Sequence, residues 1–210
     1  MFSDRNSAAL QLAERLQTYS GQHPLVLAIP RGAVPMAKIL AEKLQGDLDV
    51  VLVRKLRAPQ NSELAIGSVD ETGWVYLADY ARQMASEDYL EAEKNRQLAV
   101  MRQRRANYTP IRPPVDPQGR IVIVVDDGLA TGSTMIAALH ALRAKQPKKL
   151  ICAVPVAPAD TLEKIKPFAD ETVCLSVPPV FYAVGQFYAD FPQINDDEVV
   201  NLLSTDDGNA

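Results

Sequence analysis

The chain has 210 residues, of which 47% are hydrophobic and 23% are charged, and its formal net charge is −4. This length and composition are typical of one globular domain with a sizeable core. The negative charge argues against general binding to nucleic acid or anionic membranes and favours small-molecule partners. Because the sequence has no signal-peptide core and no apolar run near the roughly 20 residues that cross a bilayer, we predict a cytoplasmic protein.

Five apolar runs rich in β-branched residues are predicted to be buried parallel strands, at residues 24–29, 48–53, 120–125, 149–156 and 171–177. Between them, residues 36–44 and 134–142 repeat apolar side chains at helical spacing. The alternation predicts an α/β fold with an open, mainly parallel five-stranded sheet flanked by helices. We predict one domain over residues 1–204, followed by a flexible tail at 205–210.

The regular alternation breaks at about residues 55–119, which we predict to be an insertion. Residues 63–77 have the pattern of a hairpin that turns at Glu71–Gly73. Residues 87–108 are predicted to form an exposed helix that begins after Ser86. An insertion of this length in a compact domain is more often functional than idle.

The segment VIVVDDGLATGST, residues 122–134, joins a predicted strand to a predicted helix. Its acids Asp126 and Asp127 come at the carboxyl end of the strand, where open α/β sheets bind ligands. Backbone N–H groups and hydroxyls then surround the positive end of a helix dipole, at Ala130, Thr131, Gly132, Ser133 and Thr134. The pattern predicts an anion pocket beside two carboxylates, which suits a sugar phosphate. The alternative is a simple turn and cap at Asp127 and Ser133, which does not require paired acids.

Residues 122–134 resemble the signature of the type I phosphoribosyltransferase family, in which an apolar strand, two acids and a few small or apolar residues precede T-G-x-T. The resemblance implies that Asp126 and Asp127 hold the ribose hydroxyls of phosphoribosyl pyrophosphate (PRPP). It implies that residues 130–134 bind the 5-phosphate, and that Mg²⁺ is held mainly through PRPP. The other common phosphate loop, G-x-x-x-x-G-K-[ST], is not matched, because Gly128 and Gly132 are one residue too close and no lysine follows.

Two further loops support the same resemblance. Residues 29–35, IPRGAVP, are similar to the family's pyrophosphate loop, with Arg31 available for an anion and Gly32 permitting close backbone approach. The resemblance also implies a cis peptide bond at or next to Arg31; the alternative is an ordinary turn. In residues 53–59, VRKLRAP, we expect Lys55 to stabilise departing pyrophosphate, the alternative being a basic strand end without a ligand.

The aromatic segment at about residues 178–195 resembles the hood that covers the acceptor base in this family. Phe181, Val184 and Phe187 are candidate base contacts, although the aromatics alternatively fill a small core. Asp190 falls one position later than the family pattern, so its role stays open. Ala130 stands where hypoxanthine-guanine enzymes carry an acid, which makes the chain more similar to adenine or orotate enzymes and leaves the acceptor open.

We therefore predict a phosphoribosyltransferase that binds Mg²⁺ and PRPP and transfers the phosphoribosyl group to a nitrogenous base. Its predicted catalytic residues are Arg31, Lys55, Asp126 and Asp127. One alternative is a regulator that senses PRPP without catalysis, and a weaker one is an RNA-binding regulator of the same fold. The arginines within 102–105 are predicted to lie on a solvated helix face. No membrane partner is expected, and a homodimer is left open.

Overall fold

The computed structural model describes residues 1–204, apart from the side chains of Ser62 and Glu63. Within these residues the main helices and strands are, in chain order, α1 (Arg5–Arg15), β1 (Leu25–Ala28), α2 (Val34–Leu44), β2 (Asp47–Val50), β3 (Val53–Ala58), β4 (Asn61–Asp70), β5 (Val75–Leu77), α3 (Ala81–Met84), α4 (Glu87–Tyr108), β6 (Ile121–Val125), α5 (Ser133–Arg143), β7 (Lys149–Val156), α6 (Ala159–Ile165), β8 (Glu171–Ser176) and α7 (Asp196–Ser204). The tail predicted at 205–210 lies outside the described residues.

The central sheet has five parallel strands in the order β2-β1-β6-β7-β8. Alternate residues of its strands enter two separate cores. One core joins Val26 and Ile123 to α1 and α2, and the other joins Leu27 and Val124 to α5. Because helices cover both faces, β6 is buried at every position. The predicted open, parallel five-stranded sheet flanked by helices is confirmed.

The predicted strand at 48–53 is divided between two sheets. β2 ends at Val50, and β3 begins at Val53 and pairs antiparallel with β4 in a separate sheet of order β3-β4-β5. The two residues between them, Val51 and Leu52, are buried as well. The apolar run therefore continues through the break, which is why the sequence pattern showed no boundary there.

The segment between β2 and β6 contains the predicted hairpin and helix. β4 and β5 pair antiparallel, and the carboxylate of Asp70 closes their turn by accepting hydrogen bonds from the backbone N–H groups of Thr72 (2.8 Å) and Trp74 (3.1 Å). α4 begins after Ser86, whose hydroxyl accepts a hydrogen bond from the N–H of Tyr89. The inserted hairpin and helix that the predicted fold includes are therefore both present.

The prediction of a solvated arginine face within 102–105 is wrong for two of its three arginines. The side chain of Arg104 is only 17% exposed and lies 3.6 Å from Asp196. Arg105 donates hydrogen bonds from Nε and Nη2 to the two carboxylate oxygens of Glu71, at 2.9 and 2.6 Å. Both partners are distant in the sequence, so helical periodicity alone did not reveal these contacts. Arg102 is exposed, as predicted.

The hood, residues 178–195, packs on the amino-terminal segment of the chain. Phe2 and Tyr188 form an isolated parallel bridge, in which the N–H of Phe2 donates to the carbonyl of Phe187 at 2.8 Å. α7 follows the hood and packs on α2 and α4. Both ends of the described chain therefore converge near the carboxyl end of the central sheet. Across residues 1–204, no helix combines the length and apolar character needed to cross a bilayer.

Candidate functional site

Asp126 and Asp127 directly follow β6, the middle strand of the central sheet. The crossover from β1 runs to one side, towards β2, and the crossover from β6 runs to the other, towards β7. The loops after β1 and β6 therefore diverge beside the two acids. Such a switch point is where open α/β sheets bind their ligands. The N–H of Asp127 donates to Oδ1 of Asp126 at 2.9 Å, which fixes the first carboxylate.

The two carboxyl groups lie in a weakly solvated environment. Burial raises the pKa of Asp126 well above the ordinary range of aspartate, and the neighbouring charge of Asp127 raises it further. Burial also raises the pKa of Asp127, while the guanidinium of Arg5 opposes this change. Two adjacent carboxylates that are costly to ionise favour a ligand bringing hydroxyl donors or a cation.

The loop from Ala130 to Thr134 forms the start of α5. Gly132 has a φ of 75°, which favours glycine, and a Cβ at this position would lie 2.9 Å from Cγ2 of Thr161. Thr161 also donates a hydrogen bond from its hydroxyl to the carbonyl of Ala130 at 2.6 Å, so α6 holds the loop in place. Within residues 1–204 no side chain caps this helix start. Its first N–H groups are therefore available to an anion.

The loop after β1 approaches the acids from the other side. The peptide bond between Pro30 and Arg31 is cis, which confirms the position that the family resemblance implies. A Cβ on Gly32 would lie only 2.2 Å from Oδ2 of Asp127. Glycine at this position therefore allows the loop backbone to lie against the carboxylate.

Cationic side chains from β3 complete the surroundings. Lys55 is exposed, whereas Arg54 is half-buried and donates from Nε to the Gln97 side chain at 2.9 Å. Burial lowers the pKa of Arg54, and the nearby charges of Arg104, Arg57 and Arg31 lower it further. A group of cations that repel one another favours binding of a multiply charged anion.

One cavity of about 340 Å³ brings most of the predicted site residues together. Its lining includes ten of them, namely Arg31, Gly32, Lys55, Asp126, Asp127, Ala130, Thr131, Gly132, Thr134 and Val184. Ser133 is not part of the lining; it is buried, with its hydroxyl 3.2 Å from that of Thr131 and its carbonyl accepting from Ser68 at 2.6 Å.

The three predicted hood contacts separate into two groups. Val184 reaches the cavity, and a Cβ on Gly128 would lie 2.6 Å from its Cγ1, so the hood sits directly on the loop after the acids. Phe181 and Phe187 are outside the lining and contact each other, with ring centroids 5.0 Å apart. Asp190 is exposed and also lies outside the lining.

Comparison with known proteins gives the family. Residues 6–192 match the model of the phosphoribosyl transferase domain. The chain belongs to the type I phosphoribosyltransferase family. Its relatives include "Putative phosphoribosyl transferase Rv0571c" of Mycobacterium tuberculosis H37Rv, which is 42% identical over 205 residues, 97% of this chain. The match covers 46% of that protein, so the chain spans just under half the length of this curated relative. Among solved structures, TT1426 from Thermus thermophilus is 45% identical, with a TM-score of 0.81 and 97% of both chains covered.

In this phosphoribosyltransferase-family chain, the sequence did not identify the buried arginine that contacts the acid pair. Arg5, in the first turn of α1, donates hydrogen bonds from Nε (3.0 Å) and Nη2 (2.9 Å) to Oδ2 of Asp127. The residue is only 7% exposed. A signal was available, because Arg5 shares its helical face with the buried residues Ala8, Ala9 and Leu12. A charged residue on an apolar stripe indicates a buried partner.

Proposed function

We propose that the protein is an enzyme that binds PRPP with Mg²⁺ and transfers its phosphoribosyl group to a nitrogenous base, releasing pyrophosphate. The observation that supports this proposal most is the shared cavity of about 340 Å³. The cavity combines an uncapped helix start, a pair of carboxylates and a group of cations. These three features suit the phosphate, the ribose and the pyrophosphate of one ligand, respectively.

The proposed ligand would lie across the switch point of the sheet. Its 5-phosphate would accept hydrogen bonds from the N–H groups of residues 131–134, at the positive end of α5. Its ribose hydroxyls would donate to Asp126 and Asp127, while the loop with Arg31 and Gly32 would bind pyrophosphate. Fixing the sugar at both ends restricts the anomeric carbon to one orientation for attack, which lowers the entropic part of the barrier.

The proposed reaction needs no protein nucleophile. A ring nitrogen of the base would form a bond to the anomeric carbon while the bond from that carbon to the pyrophosphate oxygen breaks. The departing group carries away the bonding electrons, so negative charge increases on pyrophosphate in the transition state. Lys55 and Arg54, which line the same cavity, would stabilise that charge.

The acid pair fits a divalent cation. Its oxygen donors are the kind that Mg²⁺ prefers, and a cation would favour the charged forms of two carboxyl groups whose pKa values burial raises. Among the described residues, no group of three or more Asp, Glu, His or Cys side chains is arranged to hold a metal ion. Mg²⁺ would thus be held mainly through oxygens of PRPP, beside Asp126 and Asp127, and the bound cation would neutralise part of the pyrophosphate charge.

Incubation of the protein with PRPP, Mg²⁺ and a panel of purines and pyrimidines tests the proposal, with pyrophosphate release as the readout. We expect release with at least one base. The Asp126→Asn/Asp127→Asn double variant should lose both release and PRPP affinity while remaining folded. Unchanged affinity in the folded double variant would contradict the proposed site.

The second candidate function is a PRPP sensor that performs no transfer. One observation favours the sensor. Phe181 and Phe187 pack against each other outside the cavity, so Val184 alone of the three predicted base contacts lines it. Tight PRPP binding without release for any base of the panel would support the sensor and contradict the enzyme.

A further inference from the structure

We propose that Arg5 is a positioning residue for this reaction, which holds Asp127 so that its Oδ1 atom is presented to the ribose. The inference rests on the proposed function, because it concerns the acid that we assign to the ribose hydroxyls. It adds a residue from the amino-terminal helix to a site otherwise built mainly by β3 and by the loops after β1 and β6.

The guanidinium of Arg5 is fixed on several sides. Its Nε and Nη2 both donate to Oδ2 of Asp127, at 3.0 and 2.9 Å, and Nη1 donates to the carbonyl of Pro192 at 2.7 Å. Its central carbon lies 3.7 Å from the ring centroid of Phe191. Three hydrogen bonds and a stacked ring leave this arginine little freedom, so it can impose an orientation on the carboxylate.

The opposite side of the same oxygen is also closed. A Cβ on Gly32 would lie 2.2 Å from Oδ2 of Asp127 and 3.3 Å from Nη2 of Arg5. The carboxylate oxygen is therefore enclosed between the guanidinium and the loop that we propose for pyrophosphate. Both hydrogen bonds from Arg5 are to Oδ2, so the other oxygen, Oδ1, is not held by Arg5 and is the one left for a ligand hydroxyl.

The backbone of Asp127 is held from the same direction. The hydroxyl of Tyr188 donates to the carbonyl of Asp127 at 2.5 Å, and the ring of Tyr188 stacks on Phe191 with centroids 4.8 Å apart. The hood and the first turn of α1 therefore act on one residue of the acid pair. Arg5 connects the two, because it contacts both the hood and the carboxylate.

The test compares Arg5→Gln with a matched variant, Arg15→Gln, which removes an exposed arginine from the last turn of the same helix. Calorimetry measures the affinity of each folded protein for ribose 5-phosphate and, separately, for inorganic pyrophosphate, both with Mg²⁺. Arg5→Gln should weaken ribose 5-phosphate binding about tenfold or more, the effect expected from losing hydrogen bonds to a charged group. The affinity of Arg5→Gln for pyrophosphate should stay within about twofold of the wild type, because Arg5 is not expected to donate a hydrogen bond to pyrophosphate. Arg15→Gln should change neither affinity.

A double-mutant cycle with Asp127→Asn separates positioning from mere support of the hood. If Arg5 acts through Asp127, Arg5→Gln should have little further effect on ribose 5-phosphate affinity once the carboxylate is gone. An equal loss in both backgrounds would indicate that Arg5 acts only through Phe191 and Pro192, and would overturn the inference.

Should Arg5→Gln fail to fold, Arg5→Lys carries the same test, because lysine keeps the charge but lacks the paired N–H donors. Wild-type protein that binds neither ribose 5-phosphate nor PRPP would overturn the proposed function and this inference together. Wild-type binding of ribose 5-phosphate with unchanged affinity in the folded Arg5 variant would overturn the inference alone.

Discussion

Arg31 and Asp196 face each other, with Nη1 of the arginine 3.6 Å from Oδ2 of the aspartate. Asp196 begins α7 and also lies 3.6 Å from Nε of Arg104, while the hydroxyl of Tyr108 donates to it at 2.9 Å. A carboxylate of the C-terminal helix thus contacts the arginine that we propose for pyrophosphate. It partly neutralises the same cation group that a bound anion would use.

Removal of this carboxylate should strengthen anion binding. Asp196→Asn keeps a side chain that can accept from Tyr108 but removes the charge that competes for Arg31. Because the Arg31–Asp196 pair is partly exposed, we expect a gain of about two- to fivefold in affinity for inorganic pyrophosphate. Calorimetry at low and high salt measures the gain, which should shrink as salt screens the charges.

The control for this experiment is Asp197→Asn, which removes an exposed neighbouring acid from the same helix turn. It should leave the affinity unchanged. Weaker pyrophosphate binding by folded Asp196→Asn would contradict competition and indicate instead that Asp196 orients Arg31 for the ligand.

The acid pair shows which parts of the site could be predicted from the sequence alone. Asp126, Asp127 and the loop that starts α5 are consecutive in the chain, so one motif specified both their identity and their position at a strand end. The central sheet was equally accessible, because each of its strands overlaps one of the five apolar runs of the sequence. These local features set the fold class and most of the cavity lining.

Contacts between distant segments were not accessible in the same way. The partners of Arg5 and Arg104 lie 122 and 92 positions away, at Asp127 and Asp196. No spacing rule connects such pairs, and only burial of a charged residue within an apolar stripe hints at them. The division between β2 and β3 was not predictable from the sequence either. Residues 51–53, where the chain passes from one sheet to the other, are all apolar and buried.

Asp126 should lower the stability of the folded protein near neutral pH. Its pKa is raised in the folded state, mainly by burial, so the folded chain holds a proton that the unfolded chain releases as pH increases. Stability is therefore lost as pH rises from the ordinary aspartate range through the raised value. Asp126→Asn removes this cost, and we expect its free energy of unfolding at pH 7.5 to exceed that of the wild type by about 1 kcal/mol.

Urea denaturation at several pH values measures the difference, which should shrink towards pH 4. Asp190→Asn is a suitable control, because it removes an exposed acid of the hood that lies outside the cavity lining. A variant at Asp126 that is less stable than the wild type at pH 7.5 would show that the carboxylate is well compensated in the folded state.

A ligand that fills more of the cavity should bind more tightly and therefore stabilise the folded protein more. A ligand that binds only the folded state contributes about 2.7 kcal/mol at a hundredfold excess over its dissociation constant. For a chain of this length that corresponds to a rise in Tm of about 5–10 °C. PRPP with Mg²⁺ should produce a larger shift than ribose 5-phosphate at equal concentration, since ribose 5-phosphate leaves the Arg31 loop without an anion. Equal shifts would contradict the assignment of that loop to pyrophosphate.

A substitution at Lys55 should affect catalysis more than it affects PRPP binding. It is exposed on β3 and lines the cavity, where it would meet the pyrophosphate that leaves. Negative charge on that group increases in the transition state, so Lys55→Ala should lower kcat about 10- to 100-fold while it weakens PRPP binding by less than about threefold.

Pyrophosphate release with the best base of the panel gives kcat, and calorimetry gives the affinity. Lys43→Ala, which removes an exposed lysine from the last turn of α2, is the matched control and should change neither quantity. An equal loss of turnover and affinity would mean that Lys55 contributes only to ground-state binding. Absence of turnover with every base, together with tight PRPP binding that needs Asp126 and Asp127 but not Lys55, would favour the sensor, since a sensor requires the ribose and phosphate contacts and has no leaving group to stabilise.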